Sequence, residues 1–221
     1  KKFGVGELTG IELPGESPGL LPAWEDWDIR QQYTVLFGQG VSQSPLRTAT
    51  IFQAVGNDGL QIEPRLLQAI IDPDGTRTEI ERPEGRQIFS AQTAEQLREM
   101  MESVITVGRA PDAATDGYRV GGKSGTAEAA SADGGYDGYT TSFAGIGPME
   151  DPQFVVAATV HKPQGAVAAI GASAAFSQIM GQVLRHYGVQ PSTGGAVGLP
   201  KFYGKDEDRN EKLPDTPTGI A

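Results

Sequence analysis

Apolar positions recur along this chain with two different periods, and each change of period marks a predicted element. From 42 to 59 ("SQSPLRTATIFQAVGNDG"), Leu46, Ala49, Phe52 with its neighbour Ile51, and Val55 fall at helical spacing. Ser44 suits the N-cap, Pro45 the first helical position, and Gly56 to Gly59 the stop. The stretch 90–107, "SAQTAEQLREMMESVITV", is the clearest helix. Leu97, Met100, Met101, Val104 and Ile105 share one face, and Thr93 with Gln96 forms a candidate capping box. A methionine pair on such a face fits core. Residues 171–188, "GASAAFSQIMGQVLRHYG", predict a last helix with Ala175, Ile179 and Val183 on one stripe and Gly188 as the C′ residue.

Three strand-like runs lie between the last two helices: 118–129 ("YRVGGKSGTAEA"), 141–149 ("TSFAGIGPM") and 153–162 ("QFVVAATVHK"). A polar, Gly-rich loop and a Glu-Asp-Pro turn separate them. Connections this short favour antiparallel pairing. The pattern predicts an α+β fold, an antiparallel sheet with helices packed on it. Residues 1–30 are dense in Gly, Pro and acids and read as loop. Residues 60–76 alternate and end in Pro-Asp-Gly, a short strand and a turn. From about 192 to 221 the chain is polar and Pro/Gly-rich, and a flexible or clamped tail is expected.

Composition narrows the function classes. The net charge of −10 over 221 residues argues against nucleic acid as a partner. No apolar stretch reaches the length of a membrane span. Without cysteine there is no disulfide, no thiolate nucleophile and no cysteine-ligated zinc. The two histidines, His161 and His186, share no ligand spacing, so neither metal nor cofactor is expected. The chain opens on Lys1-Lys2-Phe3 without Met, and it is expected to begin mid-protein.

The candidate chemistry sits in "GGKSGTAEAA", 121–130. On a strand, Ser124 and Thr126 point one way and Lys123 and Gly125 the other, unless a bend at Gly125 brings them together. Lys123 offers a fixed positive charge, the hydroxyls offer donors to a carboxylate, and Gly125 lets a ligand backbone come close. An edge N–H could polarise a carbonyl. The bland alternative is a surface strand with a solvated lysine.

Context favours chemistry. The run resembles the K-[ST]-G strand of penicillin-binding protein transpeptidase domains. Around it, "FGVGELTGIELPGE", "FGQGVSQSPLRTATIFQAVGNDG", "MMESVITVGRAPDAATDGYRVGGKSGTAEAA", "FAGIGPMEDPQFVVAATVHKPQG" and "FSQIMGQVLRHYGVQP" are similar to that family in one consistent order. The details resemble its class B, division-type (FtsI/PBP3-like) members. The resemblance covers about 3–191 and implies the penicillin-binding protein/serine β-lactamase-like fold, with 1–191 as the C-terminal portion of the transpeptidase domain and 192–221 as a tail.

One departure matters. No serine here has a lysine three residues on, and none has asparagine two residues on. Thr159 precedes Lys162 at the first spacing but lies in an apolar strand. The S-x-x-K nucleophile and the S-x-N motif are therefore expected in the remainder of the same enzyme, and this chain alone is expected to be inactive. The resemblance implies a peptidoglycan D,D-transpeptidase acting on stem peptides at the extracytoplasmic face of the plasma membrane, with its anchor outside this chain. It implies acylation by β-lactams, and partners that include a SEDS-family glycosyltransferase and other divisome proteins. Lys123 would support the electrostatics and proton network, Ser124, Gly125 and Thr126 would bind substrate, and the Thr126 N–H would belong to an oxyanion hole. The loop 127–141 would flank the cleft, where Tyr136 and Tyr139 are either ligand contacts or, the commoner case for exposed loop tyrosines, incidental. A non-catalytic interaction module and a serine β-lactamase or β-lactam sensor are the alternatives.

Overall fold

The computed structural model describes residues 2–108, 110–131, 134–164 and 167–195. Residues 2–28 are mainly turns, held by an isolated bridge between Leu20 and Ser42. Helix α1 (Ile29–Thr34), which the sequence reading left unassigned, starts at Asp28, whose carboxylate accepts from the Gln31 N–H at 2.6 Å. Helix α2 (Pro45–Gly56) is capped by Ser44 with Pro45 in its first turn, as expected.

The alternating stretch after α2 holds two short strands, each paired antiparallel with a strand beyond residue 76. Strand β1 (Leu60–Gln61) pairs with β4 (Arg86–Gln87), and β2 (Ala69–Ile71) pairs with β3 (Arg77–Glu79) around the Pro73-Asp74-Gly75 turn. Helix α3 (Ala91–Thr106) is capped by Ser90, whose hydroxyl accepts from the Thr93 N–H. The cap therefore lies three residues earlier than the Thr93–Gln96 box. Ser90 and Thr93 both fit a cap, and only Ser90 leaves the whole turn 91–94 helical.

The main sheet is consecutive and antiparallel, in the order β5 (Gly121–Ala130), β6 (Tyr136–Gly147), β7 (Phe154–His161). Strand β6 starts five residues before the predicted run, because pairing continues to Ala130↔Tyr136. Gly134 and Gly135, both at positive φ, leave so short a turn that Tyr136 to Thr140 join the ladder.

Helix α4 (Val167–His186) covers one face and α2 with α3 the other. On the α4 face, Phe143 and Phe176 stack at 4.6 Å, with Ala172, Met180 and Leu184 in the same core. The buried stripe is thus 172/176/180/184, one position from the predicted 175/179/183, and Ile179 is 44% exposed. Two stripes of similar spacing compete on this helix. The one carrying the larger side chains takes the sheet. On the opposite face Val55, Met101, Ile146 and Met149 form a second core. Helix α4 ends at Gly188, with φ +68, as the C′ reading expected.

Two arginines, one buried and one partly buried, make bidentate ion pairs. Arg47 of α2, 2% exposed, donates to both oxygens of Glu63 at 2.9 and 3.0 Å. Arg119, just before β5, donates to both oxygens of Glu102 on α3, each at 2.7 Å.

Candidate active site

The motif strand is brought to its position by close approach. A Cβ at Gly121 would lie 2.9 Å from the Glu102 backbone nitrogen, and one at Gly122 would collide with the Phe143 ring. Only glycine lets β5 lie this tightly between α3 and the aromatic core. Arg119 anchors the entry: its N–H donates to Ser192 Oγ at 2.8 Å and its carbonyl accepts from the Met149 N–H at 2.9 Å. The Glu102 carboxylate beside its guanidinium raises the Arg119 pKa above the ordinary value. Arg119 thus holds the start of the motif strand as a fixed cation.

The ladder runs without a break through Lys123↔Ala144, Ser124↔Phe143, Gly125↔Ser142 and Thr126↔Thr141; its register shifts only between Glu128 and Ala130. No bend at Gly125 re-aims the side chains. Lys123 stays on the α2/α3 face and Ser124 with Thr126 on the α4 face. They meet instead across the free edge of β5, which is the outer strand of its sheet among the described residues. Half of an edge strand's amide groups face outward, open to a ligand backbone.

Each face borders a hollow. On Lys123's side lies an apolar groove of about 320 Å³, walled by Phe3, Phe52, Phe89, Leu97, Met100 and Val104. The Lys123 ammonium lies exposed beside it and donates to its neighbour's carbonyl, Ser124 O, at 2.7 Å. That bond goes to the peptide, not to the Ser124 hydroxyl. On the other side, Ser124, Gly125 and Thr126 line a cleft of about 520 Å³ with Tyr139, Thr141 and Ser142 of β6, Lys162 to Gln164 after β7, and Gly171 to Ser173 of α4. Thr141 Oγ1 is a buried hydroxyl without a hydrogen-bond partner there.

Of the two loop tyrosines, Tyr139 lines the cleft while Tyr136 stands 65% exposed on β6 and is not among the lining residues. Sequence reasoning missed Asp137 and Lys162, which form an ion pair at 2.7 Å on the cleft's far side. The Lys162 ammonium holds the Asp137 carboxyl below its usual range. They lie 25 residues apart, and only the β6–β7 pairing brings them together. Among the described residues no group of His, Asp and Glu side chains could hold a metal ion.

An edge strand with a cation on one face, hydroxyls on the other and a glycine between them has the chemistry to bind a carboxylate and to admit a carbonyl. Comparison with known proteins gives that site its family. The family profile described as "Penicillin binding protein transpeptidase domain" matches residues 1–181. The chain belongs to that family. It is 41% identical over 214 residues to penicillin-binding protein PbpB of Mycolicibacterium smegmatis, covering 90% of this chain and 33% of that protein. It is 32% identical over 194 residues to peptidoglycan D,D-transpeptidase FtsI of Escherichia coli K12, covering 86% of this chain and 31% of that one. The crystal structure of penicillin-binding protein 3 from Mycobacterium tuberculosis in complex with ampicillin superposes with a TM-score of 0.80 at 34% identity, covering 90% of this chain and 48% of that one. The chain therefore spans about a third of the length of the curated relatives it matches.

Proposed function

We propose that this chain is the substrate-carboxylate half of a class B peptidoglycan D,D-transpeptidase of the division type. The observation that carries the reading is the free edge of β5, with Lys123 beside an apolar groove on one face and Ser124 and Thr126 above a cleft on the other. In this reading the remainder of the enzyme, bearing S-x-x-K and S-x-N, covers the groove and sets its serine near Lys123. A groove with aromatic and methionine walls is suited to a packed helix. Trp24, Ile29, Tyr33 and Leu36, each more than 65% exposed, are further apolar side chains without cover.

The chemistry then follows. The serine attacks the carbonyl between the two terminal D-alanines of a stem peptide. The peptide lies along the edge of β5, Ser124 and Thr126 donate to its terminal carboxylate, and Gly125 permits the close approach. The Thr126 N–H helps hold the developing oxyanion. D-alanine leaves, and the amine of a neighbouring stem takes the acyl group. A β-lactam acylates the same serine. Lys123 lowers the cost of negative charge at the site without itself activating Ser124, since its ammonium binds the Ser124 carbonyl. The substrate places this work outside the plasma membrane, beside a glycan-polymerising glycosyltransferase and the division proteins. Among the described residues no helix is long and apolar enough to cross a membrane.

Labelling with a fluorescent penicillin, read as intact mass on every chain, tests the assignment. One drug mass on the serine of an S-x-x-K segment, with none on residues 1–221, is expected. A label on one of the serines here refutes the placement of the nucleophile. No label on a folded enzyme that contains S-x-x-K favours a non-catalytic module, and rapid loss of the label favours a β-lactamase.

A further inference from the structure

The cleft beside Ser124 and Thr126 has two walls. One is the motif strand. The other is made by the start of β6 and the segment that leaves β7, two pieces with no covalent reason to stay together. Lys162 joins them three times. Its N–H donates to the Tyr139 carbonyl at 2.8 Å, its ammonium reaches Asp137 Oδ2 at 2.7 Å, and its aliphatic stem lies over Gly138, where a Cβ would be 3.5 Å away. The backbone bends to allow this: Lys162 sits at φ +47, a left-handed conformation that a lysine rarely adopts. Next to it Thr140 Oγ1 and His161 Nδ1 are 2.8 Å apart and close the same seam. Asp137 and Lys162 are the charged residues of the cleft lining, and they neutralise each other.

We infer that the Asp137–Lys162 pair is a specificity clamp: it fixes the far wall, so that the arm of a ligand held at Ser124 and Thr126 meets a preformed surface. The inference rests on the acyl-transfer reading and adds two positioning residues to it. A ligand that fills the cleft gains from a wall already in place, because the ordering is done before it arrives. A ligand that ends at the motif strand gains nothing. The clamp should therefore discriminate by the arm and leave the reacting group alone.

The test compares acylation of the complete enzyme by benzylpenicillin, which carries an acylamino arm, and by 6-aminopenicillanic acid, which lacks it. Lys162→Met and Asp137→Asn are each expected to lower the benzylpenicillin rate relative to the armless compound by about two- to fivefold, the span that exposed ion pairs command. The swapped pair Asp137→Lys with Lys162→Asp keeps the clamp and is expected to return the ratio to the wild-type value. An unchanged ratio in the single variants, an equal fall for both compounds, or no rescue by the swap overturns the clamp. Hydrogen exchange at the Lys162 amide gives a second reading that needs no acylation: faster exchange in both single variants is expected, and unchanged exchange overturns the clamp by itself. If neither penicillin reacts with the wild-type enzyme, the acyl-transfer reading fails and the amide alone decides this one.

Discussion

Arg119 and Glu102 hold the entry of the motif strand to α3, and their removal has a calculable cost. Glu102 is 2% exposed and accepts two hydrogen bonds from a guanidinium that is 21% exposed. Arg119→Met keeps the aliphatic stem and removes the two hydrogen bonds that the guanidinium gives this carboxylate. Breaking one side of a buried pair costs about 3–5 kcal/mol. Partial exposure of Arg119 places this pair near the lower end, about 3 kcal/mol. With a urea slope of about 2 kcal/mol/M, the midpoint of unfolding should fall by about 1.5 M. Replacing both partners, as in Glu102→Leu with Arg119→Met, removes the buried carboxylate along with the guanidinium, and the double variant should recover part of the loss. Urea unfolding of the four proteins, followed by fluorescence and by circular dichroism, completes the cycle. If Arg119→Met costs less than about 1 kcal/mol, or if the double variant is the less stable by the sum of the two single losses, the pair is not the anchor described above.

Three further outcomes follow from the same geometry. Phe176→Ala, which empties the fully buried stack on Phe143, should cost about 3–5 kcal/mol in urea unfolding, while Ile179→Ala on the exposed stripe should lie within about 0.5 kcal/mol of wild type. Gly122→Ala should destabilise by about 1–3 kcal/mol, because its methyl group meets the Phe143 ring; a neutral result in a thermal melt would contradict the close approach of β5. Because the Lys162 ammonium lowers the Asp137 carboxyl, the clamp is fully present above the ordinary aspartate range and is lost as pH falls through the lowered value. Amide exchange around Tyr139 should loosen only there, and loosening at neutral pH would contradict it.

The sequence made legible those features whose causes are local. The Ser44-Pro45 start of α2, the Gly188 stop of α4 and the order of the three strands all depend on neighbours within a few residues, and the structure has each of them. The KSGT strand was found as a motif, with its side chains on the alternating faces that strand geometry demands. What was not legible is what depends on partners far along the chain. Arg47 lies between Leu46 and Ala49 with no local sign of burial, yet Glu63 and the turn at Gly4 enclose it. The choice between two apolar stripes on α4 turned on Phe143, a residue of another element. Asp137 lay in the predicted loop and Lys162 at the end of a predicted strand, and nothing joined them until β6 and β7 paired. The expected tail from 192 lies, after residue 195, outside the described residues.

At the start of α4, Gly171 holds φ +53 and ψ −141, and a Cβ there would lie 3.0 Å from Thr141 Oγ1. Every single-base change of a glycine codon that replaces the glycine with another amino acid adds a side chain. Each would meet both a forbidden backbone conformation and an occupied space. The cleft is therefore closed to stepwise mutation at Gly171. Selection that reshapes this cleft, by an antibiotic or by a new substrate, has to act through positions such as Gln164 and Ser173 at its rim, where a side chain can change without refolding the helix start.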